Sequence, residues 1–142
     1  ITKYVSGNGL ITEDKYDSVG ALNRTTTGYT GAKQLRDVEY HYDKLGITKY
    51  RTDHIMRIDR EYEYDDLNRL VSAIVRYKKS SKTNYYNYEY DEIGNITYKT
   101  SEGYYYYKGK GAHQVSSTNK RSFVYDANGN ILRNGEIKLS YT

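Results

Sequence analysis

The sequence predicts an all-β protein made of consecutive antiparallel hairpins that form a curved or spiralling sheet, and three observations predict it. A Tyr-Asp pair recurs at Tyr16-Asp17, Tyr42-Asp43, Tyr64-Asp65, Tyr90-Asp91 and Tyr125-Asp126, and three residues after each Asp comes Gly20, Gly46, Asn68, Gly94 or Gly129. Aromatic residues stand two positions before the Tyr in four units (Tyr40, Tyr62, Tyr88 and Phe123), an alternation that places both rings on one face of a strand. Twenty of 142 residues are Tyr and none is Pro, so the chain favours pleated surfaces and loses no ladder donor to proline.

Successive Asp residues of the pairs lie 26, 22, 26 and 35 residues apart, so one unit holds two strands and two connections. Within each unit the Asp and the Gly or Asn take the first and last places of a type I turn. The carboxylate is expected to accept the backbone amides two or three residues on, which closes the corner. The last corner residue needs a positive φ, which Gly adopts freely and Asn tolerates best among the others, so Asn68 is the replacement the geometry allows. The structural turn residues are therefore Asp17, Gly20, Asp43, Gly46, Asp65, Asn68, Asp91, Gly94, Asp126 and Gly129. Five residues after the Asp, Leu22, Thr48, Leu70, Ile96 and Ile131 should each begin a return strand.

The remaining elements follow from composition. Between Lys44 and Arg60 the strand formers Ile47, Thr48, Tyr50, Ile55 and Ile58 predict two strands with a turn near Thr52 and Asp53. The polar stretch from Lys78 to Asn84 reads as a hairpin tip. The Gly residues between Lys108 and His113 predict a flexible break inside the longest unit, which would account for its length. The mean hydropathy of −0.95 and the shortage of Leu, Ile and Val predict a thin sheet without a thick two-layer core. The chain starts at Ile1 without an initiator Met and ends in the strand-like stretch Ile137 to Tyr141, so it is expected to be a piece of a longer protein.

The best-formed units are Tyr64 to Leu70, Tyr90 to Ile96 and Tyr125 to Ile131. Their pattern of Tyr-Asp, two variable residues, Gly or Asn, then Asn or Arg and an apolar residue resembles the RHS/YD-repeat family. That family includes bacterial RHS, wall-associated and Tc-toxin shell proteins and the similar barrels of teneurins. The stretch Gly109 to Ser117 also resembles a segment that often precedes a late repeat, and the resemblance runs from about Lys15 to Ile131. It implies that residues 1–142 are a single YD-repeat segment of a larger shell or barrel. The first unit departs from the pattern, with Asp14 in the aromatic position, and so does the second, with Ile47-Thr48. The resemblance further implies a secreted or cell-surface bacterial protein, with neighbouring repeats and an enclosed C-terminal, toxin-like polypeptide as partners.

Other chemistry is poorly supported by the residues. Asp126, Asn128 and Asn130 match the start of a calcium loop, yet Ile131 and Ile137 stand where such a loop needs Gly and Glu. His41, His54 and His113 have no paired metal spacing, and there is no Cys, phosphate loop or nucleophile elbow. The chain is read as non-catalytic, without cofactor or metal. A net charge of +4 is spread among 18 acidic residues, which argues against nucleic acid, and no apolar run is long enough to span a membrane. Tyr85, Tyr86, Tyr104, Tyr105, Tyr106 and Tyr107 could stack on the sugars of a cell-wall or surface glycan, against the plainer reading that alternate rings pave the sheet. Open sheet edges would allow self-association.

Overall fold

The structure, a computed structural model, describes residues 1–109 and 111–141 and divides into two compact units, Ile1–Tyr85 and Tyr86–Thr142. Lys110 of the Gly-rich loop and the terminal Thr142 lie outside the described residues. Among the described residues there are fourteen strands and no helix.

In the first unit the strands are β1 (Thr2–Val5), β2 (Ile11–Tyr16), β3 (Leu22–Gly28), β4 (Arg36–Tyr42), β5 (Thr48–Asp53), β6 (Ile58–Tyr64) and β7 (Leu70–Tyr77). Each pairs antiparallel with the next, the arrangement that short local turns impose. One face carries Thr25, Val38 and Ile58, with Ala73 and Val75 on β7, all buried, while the buried Asp37 belongs to the other face. Val38 is the most enclosed, at 2% exposure, opposite Thr25 on one side and Asp53 on the other. The other face is polar. There Arg24 holds Asp37 through two hydrogen bonds of 2.8 Å, Arg76 meets Glu61 at 2.9 Å, and Lys78 meets Asp59 at 2.8 Å.

β8 (Lys82–Tyr90) begins in the first unit and runs into the second. The second unit continues with β9 (Ile96–Lys99), β10 (Gly103–Tyr106) and β11 (Ser117–Thr118), again paired in chain order. A small antiparallel sheet follows, made of β12 (Phe123–Tyr125), β13 (Ile131–Asn134) and β14 (Ile137–Lys138). The buried residues of the second unit are polar, Asn95 before β9 and Thr118 in β11.

All five return strands start at the residue five places after the Asp, as the turn spacing requires. Each repeated hairpin also contains a β-bulge that the sequence did not disclose. The Tyr of each pair faces that return-strand residue, as Tyr42 faces Thr48 and Tyr64 faces Leu70, while the next residue on the return strand is left unpaired. The turn expected near Thr52 and Asp53 lies at residues 54–57 instead. Both residues remain in β5, and the Asp53 carboxylate closes the corner from the strand end by accepting the Met56 amide at 2.8 Å. The polar tip is likewise shorter than expected, residues 78–81. It is closed by the Ser80 amide on the Tyr77 carbonyl at 3.2 Å, with Ser81 at φ 53°.

With so few enclosed apolar side chains, each should matter. Val38→Ala is expected to cost about 2 kcal/mol of unfolding free energy by urea denaturation, the scale of a truncated core side chain. A loss below about 0.5 kcal/mol would mean that Val38 is not part of a core.

Candidate functional site: the repeated corner and its tyrosine latch

Each Tyr-Asp corner is the same set of bonds. The Asp amide donates to the carbonyl four residues on (Asp43 to Ile47, 2.9 Å), and the amide of the Gly or Asn donates back to the Asp carbonyl (Gly46 to Asp43, 3.1 Å). Asp Oδ1 then accepts two further amides, at the second and fourth residues after it. The pairs are Val19 and Ala21 on Asp17, Leu45 and Ile47 on Asp43, Leu67 and Arg69 on Asp65, Ile93 and Asn95 on Asp91, and Asn128 and Asn130 on Asp126, all between 2.7 and 3.1 Å. The second amide is thus four residues on rather than three, because the amide at the third is taken by the Asp main chain. Gly20, Gly46, Gly94 and Gly129 have φ between 80° and 89°, and Asn68 has φ 60°.

Three corners are reinforced from the fourth residue. Arg69 Nε donates to Asp65 Oδ2 at 2.7 Å, and the amides of Asn95 and Asn130 donate to Asp91 and Asp126 Oδ2 at 2.9 Å. These bonds hold the three carboxyls below the usual carboxylate range. For Asp65 the Arg69 backbone amide contributes most and for Asp126 the Asn130 side chain does; for Asp91 the opposing effect of desolvation is outweighed by Asn95 and the turn amides. Asp37 is also lowered, chiefly by its hydrogen bond from Arg24. A carboxyl lowered on folding stabilises the fold above its ordinary pKa, so this support is lost as pH falls through the folded value.

The tyrosine does more than pave. Tyr42 Oη donates to the Leu22 carbonyl at 2.6 Å, and Tyr64 Oη donates to the Thr48 carbonyl at 2.8 Å. Each acceptor is the first residue of the preceding hairpin's return strand, so the hydroxyl latches one hairpin to the one before it. Tyr40 and Tyr42 also stack, with ring centroids 6.5 Å apart. In the second unit Tyr107, Tyr125 and Tyr141 repeat the bond at 3.0 Å, onto Ile96, Val115 and Ile131.

Tyr107 reveals a unit that the sequence reading missed. Tyr105-x-Tyr107-Lys108 resembles a Tyr-x-Tyr-Asp with Lys in place of the turn aspartate, and it divides the 35-residue spacing into 17 and 18 residues. Described residues on both sides of Lys110 in the Gly-rich loop that follows are hydrogen-bonded to the rest of the unit. Asn95 Nδ2 donates to the Ala112 carbonyl at 2.9 Å, His113 Nδ1 lies 2.7 Å from Asn95 Oδ1, and the Lys108 amide donates to Ser116 Oγ at 2.9 Å. The Tyr-x-Tyr spacing was the available signal, standing without the Asp that marks the other corners.

Burial pushes Tyr42, Tyr64, Tyr107 and Tyr125 above the ordinary phenol range. Among the six tyrosines considered for sugar stacking, Tyr85, Tyr104 and Tyr106 are 63%, 52% and 41% exposed, whereas Tyr86, Tyr105 and Tyr107 are half-buried. Tyr104 packs at a tilt against its cross-strand partner Tyr98, at 5.1 Å. The fold also brings His41 and His54 to opposite oxygens of Glu39, at 3.2 and 3.0 Å, a convergence that their sequence separation concealed. No group of three or more residues suited to hold a metal occurs among the described residues. No described helix is long and apolar enough to cross a membrane.

No protein-family model matches the chain, and no curated protein does. Solved structures do. A segment of the Photorhabdus luminescens Tc holotoxin pore is similar at 20% identity and a TM-score of 0.60, over 92% of this chain and 6% of that one. The crystal structure of TcdB2-TccC3-TEV is similar with the same identity, score and coverage. That of TcdB2-TccC3-Cdc42 is similar at 20% identity and a TM-score of 0.57, over 87% of this chain and 6% of its own. The chain therefore has the fold of a short stretch of these toxin chains, which is the fold its Tyr-Asp repeats imply.

Two substitutions test the corner and the latch. Gly94→Val, which sets a β-branched residue at φ 89°, should lower the unfolding free energy by about 2 kcal/mol; unchanged stability would contradict the corner. Tyr64→Phe should cost about 1 kcal/mol, the net worth of one hydrogen bond. Phenols raised on folding stabilise up to their ordinary pKa of 10.0, and that support fades as pH rises through the folded value. Alkaline denaturation should accordingly begin above pH 10, with a shallower slope in the Tyr42→Phe, Tyr64→Phe double variant than in wild type.

Proposed function

We propose that this chain is a stretch of a non-catalytic repeat scaffold in a secreted or cell-surface bacterial protein, and that the scaffold encloses or displays a polypeptide following the repeats. The observation that carries this reading is the use made of the repeated polar groups. The five aspartates close corners, and Tyr42, Tyr64, Tyr107 and Tyr125 bond backbone carbonyls, so the chemistry that recurs is spent on holding hairpins together. The likeness in fold to segments of Tc toxin chains supports it as well. Neighbouring repeats of the same parent are the natural partners, since the outer edge of β1 has no strand beside it within the first unit and would otherwise recruit another copy.

The test is protease protection in the parent protein. The polypeptide following the repeats should resist digestion while the repeats are folded, and should become sensitive once Gly46→Val and Gly94→Val have loosened two corners. Equal digestion in both proteins would overturn enclosure.

Glycan binding remains a second reading, favoured by the exposure of Tyr104 and Tyr106 on one side of β10. Saturable binding of a wall polysaccharide that is lost in Tyr104→Ala would support it. The absence of binding across a glycan array would remove it.

A further inference from the structure

The face that carries Val38 also carries two arginines set directly opposite one another. Arg51 of β5 and Arg60 of β6 are cross-strand partners, and their row continues to Tyr40 on β4 and Val75 on β7. Like charges in such positions repel. On the opposite face Arg24 and Arg76 each have a carboxylate in contact, Asp37 and Glu61. Arg51 has only Asp53 Oδ2 at 3.8 Å, too far for a sound hydrogen bond, and Asp53 Oδ1 is occupied by the Met56 amide. The Arg60 side chain has no hydrogen bond or ion pair among the described residues, and its Nη1 is buried without an acceptor.

A buried, unsatisfied cationic donor is costly, so such a group in a folded protein needs an explanation. The Arg51 guanidinium carbon lies over the Tyr40 ring, 6.0 Å from its centroid. Two arginines at directly opposed strand positions, one of them with an unmet donor, match the spaced oxygens of a carboxylate or phosphoryl group. We infer that Arg51 and Arg60 form an oxyanion-binding site, in which a carboxylate or phosphoryl group bridges the two guanidinium groups once the Arg60 side chain has turned its unmet Nη1 outward to donate to it. The bound anion offsets the repulsion between the two cations. The site is independent of the scaffold reading, because it rests on the first unit alone.

The test uses the 142-residue chain with inorganic phosphate and with acetate, each exchanged for chloride at constant ionic strength. In wild type one of them should raise Tm saturably and shift the NMR signal of the Arg60 Nε–H group. Arg60→Gln and Arg51→Gln should each weaken that response about tenfold or more, the scale of one charge-assisted hydrogen bond, and Arg76→Gln should leave it unchanged. Phosphate acting more strongly than acetate identifies a phosphoryl ligand, and the reverse order identifies a carboxylate. The inference is overturned if neither anion moves the Arg60 signal saturably, or if all three variants respond as wild type does. Should the glutamine variants not fold, the wild-type Arg60 titration decides alone.

Discussion

In each repeat, one carboxylate oxygen accepts two amides across a four-residue corner, and the positions of everything else follow from it. Val19, Leu45, Leu67 and Ile93 project outward at these corners and are exposed, so no packing holds the turns. The hydrogen bonds of Asp Oδ1 do. Once they form, the residue five places after the Asp is set opposite the Tyr, the bulge falls at the next residue, and the return strand takes its register.

That register aims the Tyr of one hairpin at the carbonyl beginning the previous return strand. The latch between hairpins is therefore a product of the corners within them, and a chain with few enclosed apolar side chains gains its cohesion from repeated polar bonds. The two surfaces of the first unit divide the remaining work. Ion pairs such as Arg24 with Asp37 cover one, while Val38, Ile58, Ala73 and Val75 lie on the other. Arg51 and Arg60 stand directly opposite one another on that second surface, with the nearest carboxylate, Asp53, 3.8 Å from Arg51.

Much of this was legible in the sequence because it depends on local chemistry. Asp with Gly or Asn at a fixed offset specifies a corner, and period-two aromatics specify a strand, so the five Tyr-Asp hairpins and the starts of their return strands were legible. What could not be read depends on register between hairpins. The bulges, the Tyr64 bond to Thr48, the meeting of His41 and His54 at Glu39, and the opposition of Arg51 and Arg60 all arise from which residues face each other across strands. The unit at Tyr105 to Lys108 was missed for a different reason, since it keeps the latch and lacks the corner aspartate.

If the Asp corner governs the fold, its amides must be held as firmly as the strands they join. Native-state hydrogen exchange on the amides of Val19, Leu45, Leu67 and Ile93 measures this directly, because these residues are solvent-exposed and have no other reason for protection. The account predicts protection comparable to that of the adjoining strands near neutral pH, falling as the aspartates are protonated. Exchange at the rate of an unstructured chain, with the strands still protected, would contradict it.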